Sequence, residues 1–362
     1  MAKKSNIKIV SIVGARPQFI KTALLSWEIR KYFQEIVVHT GQHYDLNMSD
    51  IFYKDLNLPK VDYNLGVGSG AHGEQTGQML EKIEKVLLKE KPNMVLIYGD
   101  TNSTIAGSLA AAKLHIPVAH VEAGLRSYNR QMPEEINRVV SDHICDLNFC
   151  PTKNAAVILK KEGIKKNVFL VGDVMADLQL KLQKTNLKSK TLNELKIKPK
   201  TYLLATLHRA ENTDDVVRLK NIFQAFHDIS ETIIFPIHPR TKKYLKIYKM
   251  EKWVSAMTNL KMIDPVSYTE NIALLNSAKM VLTDSGGVQK EAYLAKVPCV
   301  TLRDETEWVE TIKAGWNKLT GAEPKKILKF VKNFPEPKAH PSFLGDGYAY
   351  QKITQILRDY LK

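Results

Sequence analysis

The sequence predicts an α/β protein made of two doubly wound halves with a cleft between them, and three observations predict it. Short β-rich apolar runs alternate with helix-length amphipathic segments throughout. Those runs are apolar at every position instead of alternating with polar residues, the pattern of parallel strands covered on both faces. The series also occurs twice, each time opening with a strand, a tight turn and a long helix, and a Lys-rich stretch at about 181–200 separates the two. A chain of 362 residues exceeds one ordinary domain, which agrees with two.

Taken in order, the first series has strands at 7–13, 35–40, 93–99, 116–122 and 167–172, with helices at 73–90, 103–114 and 134–145. The second has strands at 201–207, 231–237, 259–264, 279–284 and 297–302, with a helix at 214–230. A further helix at 349–361 suits either half by its own pattern and is assigned to the first. The expected domains are therefore residues 1–172 together with 349–362, and residues 173–348.

Hydrophobic residues make up 44% of the chain, enough for real cores, and no run reaches the roughly 18 apolar residues of a membrane span. The opening MAKKSNIKIV lacks the apolar core and cleavage site of a signal peptide, so a cytoplasmic protein is expected. Cys145, Cys150 and Cys299 are too few for a disulfide framework and have no His at ligand spacing. They read as buried thiols, and no metal is expected. The formal net charge is +15, most of it lysine scattered along helices as in EKIEKVLLKEKP. Long basic blocks with interleaved aromatics are missing, so the charge reads as a solvated surface, with neither nucleic acid nor membrane as partner. A small anionic substrate would need only a few of these charges.

Ligands of doubly wound sheets bind beyond the carboxyl ends of strands, near helix N-termini, and the informative residues cluster there. SIVGARPQFIKTA ends the first strand at Gly14 and continues with Arg16, Pro17 and Lys21. Pro17 suits a first helical turn, so Arg16 stands where a helix dipole already favours anions; the bland alternative is a capped turn with a solvent-facing Arg. There is no GxGxxG fingerprint, so a dinucleotide cofactor is not expected. YGDTNST and HVEAGLRS place Asp100 and Glu122 at neighbouring strand ends, although Asp100 could simply cap the helix beginning near Thr101. MPEEINR puts Glu134 and Glu135 in a first helical turn, with Arg138 one turn beyond Glu134. A dipole complement plus an i,i+4 ion pair explains that segment equally well. Three carboxylates on one face, Asp100, Glu122 and Glu134, form the pattern for proton transfer.

The second half repeats the theme. ATLHRAEN sets His208 and Arg209 immediately after a strand, and IHPRTKK sets His238 and Arg240 after the next. Two strand-end His-Arg pairs read as anion and hydroxyl ligands. In LTDSGGVQKEA the glycines follow the Ser, which is not the GxSxG order of a nucleophile elbow, and no Gly-Lys-Ser/Thr completes a P-loop. What remains is an anion nest: Ser285, Gly286 and Gly287 present N–H groups at a helix N-terminus, and Glu291 one turn on is placed for a ribose diol. That combination points to a nucleoside diphosphate.

Together, GARPQFIK, GDTNST, HVEAGLRS, PEEINR, LHRAEN, HPRT, DSGGVQKEA and GDGYA resemble the non-hydrolysing UDP-N-acetylglucosamine 2-epimerases, in order and over nearly the whole chain. The resemblance implies the GT-B type of fold, two Rossmann-like domains facing each other across a catalytic cleft, and a homodimer. It implies an isomerase that eliminates UDP to a glycal and adds it back, with neither redox cofactor nor metal. Asp100, Glu122 and Glu134 would be its acid/base carboxylates, with His208 near the diphosphate or sugar. Arg16 and Lys21 would contact UDP, and Ser285, Gly286, Gly287 and Glu291 would hold its diphosphate and ribose. Gln42, His43, Arg209 and His238 match positions that in bacterial relatives help to bind a second, activating UDP-sugar, and Arg138 joins them as a substrate or allosteric contact. The pattern departs from relatives reading GTRPE and RDxTERPE at Gln18 and at Trp308 of RDETEWVE. These departures look like the sister branch acting on UDP-2,3-diacetamido-2,3-dideoxyglucuronate; the alternative, and the preferred reading, is that both are neutral changes in an ordinary UDP-N-acetylglucosamine 2-epimerase that interconverts UDP-GlcNAc and UDP-ManNAc. Rival readings are a glycosyltransferase with the same nest, a hydrolysing epimerase and a UDP-sugar sensor without catalysis.

Overall fold

The computed structural model describes residues 6–41, 56, 58–184, 189–337 and 339–362. The chain forms two compact units, one of Met1–Lys181 with Ser342–Lys362 and the other of Leu182–Pro341. In the first unit, β1 (Lys8–Val13), β2 (Gln34–His39), β3 (Tyr63–Asn64), β4 (Met94–Tyr98), β5 (Val118–Val121), β6 (Leu147–Cys150) and β7 (Val168–Leu170) form one sheet. Its order is β3-β2-β1-β4-β5-β6-β7, with every neighbouring pair parallel. The second unit holds β8 (Tyr202–Thr206), β9 (Thr232–Pro236), β10 (Leu260–Ile263), β11 (Met280–Thr283), β12 (Cys299–Thr301) and β13 (Asn317–Leu319). Their order is β10-β9-β8-β11-β12-β13, again all parallel. Both sheets are doubly wound and Rossmann-like, as the sequence predicts. Strand order reverses between β1 and β4 and between β8 and β11, and such switch points are where ligands find an opening.

The uniform apolarity of the strands has a direct cause. In β1, Ile9 and Val13 pack with Leu25 and Ile353 on one face, while Val10 and Ile12 pack with Met79, Ile83 and Ala106 on the other. In β8, Leu203 and Ala205 meet Phe223 and Phe226, while Tyr202 and Leu204 meet Leu274 and Ala292. Helices cover both faces of the central strands β1, β4, β8 and β11, whose positions are almost all buried, and each fully buried Leu or Ile contributes about 2 kcal/mol. Strands β3, β6 and β13, which the sequence pattern does not reveal, are only two to four residues long. β6 also carries a polar interruption, Asn148, whose Nδ2 donates to the Asp142 carbonyl at 3.2 Å.

The C-terminal helix Ala349–Tyr360 belongs to the first unit, with Ala349, Ile353 and Leu357 in its core and the Arg358 guanidinium 4.2 Å from the centre of the Tyr32 ring. Tyr348 at its N-cap supplies no side-chain cap. Instead Asp177, from the helix Val174–Gln183, accepts the Tyr350 N–H at 2.9 Å. Asp177 is 2% exposed and its Oδ1 is buried without a hydrogen-bond partner. Burial, reinforced by Asp173 and Asp346, pushes this carboxyl up to about 7. The folded chain therefore holds the proton more tightly than the unfolded chain, where Asp titrates near about 3.9. From this group, stability is greatest below about pH 4 and falls as the pH rises to about 7. Asp177→Asn keeps an acceptor for Tyr350 and removes the titration. We expect the variant to gain on the order of 2 kcal/mol at pH 8 and far less at pH 5, read from urea unfolding. Equal gains at both values would show that the carboxyl does not titrate there.

Candidate active site

At the first switch point the turn after β1 leads into the helix Arg16–Ile29, with Pro17 in its first turn. Gln18 is wholly buried and closes the turn. Its Oε1 accepts from the N–H groups of Gly14 (2.7 Å) and Ala15 (3.0 Å). Its Nε2 donates to the Tyr98 carbonyl (2.7 Å) and to Thr104 Oγ1 (3.1 Å). Gln18 thus ties the end of β1 to the end of β4, and a carboxylate could accept the first pair but not donate the second. This departure from the family pattern lies in the turn's internal bonding.

Lys21, one turn further along the helix, hydrogen-bonds Glu122 Oε2, and the two side chains are 7% and 10% exposed. The groups come from positions 101 residues apart. Gly99 lies against the pair with φ +63°, and a Cβ there would stand 2.5 Å from Lys21 Nζ. A side chain there would displace the Lys21 ammonium from its place, and the positive φ itself favours glycine. Glu122 itself has φ +77°, the left-handed region that a non-glycine residue adopts at a cost, typically where function requires it.

Asp100 immediately precedes Thr101, the N-cap of the following helix, Asn102–Lys113. Its Oδ2 accepts from Arg138 Nε at 3.0 Å and Nη2 at 2.6 Å. The same guanidinium donates through Nη1 to Glu135 Oε2 at 2.8 Å, an i,i+3 pair inside the helix Pro133–Ile144. Glu135 also accepts the N–H groups of Ser127 and Tyr128, both at 2.9 Å, so it organises the loop before the helix. Glu134 stands half-buried in the first turn of that helix. The sequence pairs Arg138 with Glu134 and gives Glu135 no role. The structure hands Arg138 to Asp100 and Glu135.

In the second unit the corresponding turn follows β8. Asp284, wholly buried at the end of β11, accepts the N–H groups of His208 (3.0 Å) and Arg209 (2.8 Å) and Asn212 Nδ2 (3.3 Å). In the sequence Asp284 carries only a faint signal, a lone charge ending an apolar strand just before the glycines. His208 and His238 come together with ring centroids 5.1 Å apart. His238 also caps the helix Pro239–Ile247, its Nδ1 accepting the Arg240 N–H at 3.1 Å. Arg209 is the N-cap of the short helix Ala210–Thr213.

Ser285 is the N-cap of the helix Gly286–Leu294 and makes no side-chain cap bond; Ser285 and Gly287 are part-exposed. Gly286 is buried, and a Cβ there would lie 2.1 Å from Glu307 Oε1 and 3.5 Å from Trp308 Nε1. Glu307 is in turn held by Arg303 Nη1 at 3.1 Å. Trp308 is 2% exposed, with Lys290 Nζ 4.4 Å from its ring centroid. Glu291 is buried, at 4% exposure. Gln42, His43 and the side chain of Arg16 lie outside the described residues. Among the described residues no group of three or more His, Cys, Asp or Glu could hold a metal ion, and no helix is long and apolar enough to cross a membrane.

Two doubly wound sheets, each with its polar groups gathered at the switch point, define an α/β protein of the GT-B type. The chain belongs to the UDP-N-acetylglucosamine 2-epimerase family, a family of isomerases, whose model matches residues 27–358. It is 57% identical to a UDP-N-acetylglucosamine 2-epimerase homolog of Methanococcus maripaludis, over 98% of this chain and 100% of that one. It is 49% identical to the UDP-2,3-diacetamido-2,3-dideoxy-D-glucuronate 2-epimerase of Pseudomonas aeruginosa, over 97% and 99% of the two chains. The crystal structure of the Methanocaldococcus jannaschii UDP-GlcNAc 2-epimerase, in complex with UDP-GlcNAc and UDP, matches with a TM-score of 0.92 at 44% identity, covering 98% of this chain and 100% of that one.

Proposed function

We propose that this chain is a non-hydrolysing UDP-N-acetylglucosamine 2-epimerase that interconverts UDP-GlcNAc and UDP-ManNAc. One observation carries the reading: Asp100 and Glu122 stand at the ends of the adjacent strands β4 and β5, each held by a cation, Arg138 and Lys21. In the proposed reaction a carboxylate removes the proton from C2 as the bond from C1 to the UDP oxygen breaks, which leaves a glycal and UDP. UDP then re-adds at C1 while a carboxylic acid returns a proton to C2 on the opposite face. Lys21 fixes the Glu122 carboxylate at the end of β5, so Glu122 is assigned as the base. Asp100 and Glu134 are the candidates for the second proton transfer. For the departing UDP we assign Arg16, Ser285, Gly286, Gly287 and His208, where helix N-terminal N–H groups and cations stabilise developing negative charge. Glu291 is assigned to the ribose, and Arg209 and His238, with Gln42 and His43, to further UDP-sugar contacts.

Incubation with UDP-GlcNAc in heavy water tests this by proton NMR. The expected product is UDP-ManNAc carrying deuterium at C2, and epimerisation without solvent deuterium would rule out proton exchange by carboxylates. A second reading is favoured by the Pseudomonas relative and by Trp308, packed against Lys290: the diacetamidoglucuronate branch. A tenfold or greater preference in kcat/KM for either UDP-sugar, about 1.4 kcal/mol of transition-state binding, selects between them. We further propose a homodimer, consistent with the exposed Tyr128, Ile136 and Val139, and a cytoplasmic location, consistent with three free cysteines. Light scattering of the purified chain tests the dimer.

A further inference from the structure

A buried network of polar and charged side chains connects the turns that follow β4 and β5. His120, on β5, is 0% exposed; its Nε2 is 2.7 Å from the Gly99 carbonyl and its Nδ1 is 2.7 Å from Asp142 Oδ1. Asp142, in the helix Pro133–Ile144, is 1% exposed, and its Oδ2 accepts the Gly124 N–H at 3.1 Å and Arg126 Nη1 at 2.6 Å. Arg126 Nη1 also donates to the Leu125 carbonyl at 2.7 Å. On its far side Arg126 reaches Glu162 through Nε at 2.9 Å and Nη2 at 2.7 Å. Burial works against the Asp142 charge, but the hydrogen bond from His120 and the guanidinium of Arg126 hold its carboxyl below the usual range.

Buried charges are a poor way to gain stability, since apolar packing of the same volume serves as well or better. What a fully bonded buried cluster supplies is fixed geometry. Its ends fall on two backbone atoms: the carbonyl of Gly99, which precedes Asp100, and the N–H of Gly124, two residues after Glu122. Both turns are unusual, with φ of +63° at Gly99, +77° at Glu122 and +82° at Gly124. Conformations of this kind persist only where surrounding bonds over-determine them. The connection runs through a single imidazole and a single carboxylate, so it couples the two turns to each other.

We infer that His120 and Asp142, with Arg126 behind them, are positioning residues that hold the Gly99–Asp100 and Glu122–Gly124 turns in mutual register, and so set the spacing of the two carboxylates. The inference deepens the epimerase reading, on which its catalytic consequence rests; its structural consequence does not.

The test compares His120→Phe, which keeps the ring and removes both bonds, with Glu162→Gln, which weakens the far ion pair and leaves both turns alone. In His120→Phe, amide hydrogen exchange should quicken by about tenfold or more in peptides covering residues 99–102 and 122–125, relative to the rest of the sheet. Its kcat on the UDP-sugar should fall by about tenfold or more, with UDP affinity by calorimetry within about twofold of the wild type. His120→Gln, which keeps a donor for Gly99, should recover part of kcat. Glu162→Gln should lower the melting temperature without either change. If His120→Phe does not fold, the isosteric Asp142→Asn takes its place in the same comparison. Unchanged local exchange in the variant overturns the inference, as does a kcat loss that Glu162→Gln reproduces at matched stability. A wild-type chain inactive on both UDP-sugars would refute the proposed function, and the exchange data would still decide the positioning role.

Discussion

Glu122→Gln is expected to lower kcat by about a thousandfold, the range typical of removing a positioned acid/base group, with UDP affinity unchanged. Glutamine has the size and planarity of glutamate and can still accept a hydrogen bond from Lys21, so the φ of +77° and the contact with the Gly99 turn need not alter. What is lost is a basic oxygen, and with it the ability to take a proton from C2. Turnover of UDP-GlcNAc followed by NMR gives kcat, and calorimetry with UDP gives the affinity. The split is diagnostic, because a group acting on the transition state lowers kcat, whereas a nucleotide contact raises KM. A variant retaining kcat within about tenfold would remove Glu122 from proton transfer and leave Asp100 and Glu134 as the candidates.

Asp284→Ala carries the second large effect, this time on stability and nucleotide binding together. The carboxylate is wholly buried and accepts from two backbone N–H groups and one amide, His208 and Arg209 at 3.0 and 2.8 Å and Asn212 at 3.3 Å. Alanine leaves those buried donors without their partner, and each unsatisfied group costs about 1–3 kcal/mol. We expect a net loss on the order of 3 kcal/mol, part of it relieved by water entering the gap. Because the turn bearing His208 and Arg209 hangs on this carboxylate, UDP affinity should fall by about tenfold or more even at temperatures where the variant is folded. Asp284→Asn, which keeps one acceptor oxygen, should fall between alanine and wild type on both measures. Two variants indistinguishable from wild type in urea unfolding and in calorimetry would mean that the turn is held by other bonds.

Much of the fold was legible because its signals are local. A strand buried on both faces is apolar at nearly every position, and the helix beside it is amphipathic, so runs such as NMVLIYG and TYLLATL announce themselves. The turn chemistry was legible for the same reason: Pro17 in a first helical turn and the glycines after Asp284 are read within a few residues. Strand β6 escaped because it spans four residues and one of them, Asn148, is polar, its partner being the backbone carbonyl of Asp142, which no local pattern announces.

Which groups stand at strand ends can be read from the residues alone, since strand boundaries follow from hydrophobic patterning and the carboxylates and histidines come directly after them. Which of those groups meet follows from the folding of the whole chain. Lys21 belongs to Glu122 across 101 positions, Arg138 to Asp100 across 38, and Asp284 to the His208 turn across 76. The cause is the parallel sheet. Each crossover helix returns the chain to the same edge, so residues remote in sequence become neighbours at the carboxyl ends, and their choice of partner depends on strand order and side-chain reach. Helix periodicity pointed Arg138 at Glu134, one turn away. The fold brought Asp100 and Glu135 to it, and a guanidinium with five donors went to both.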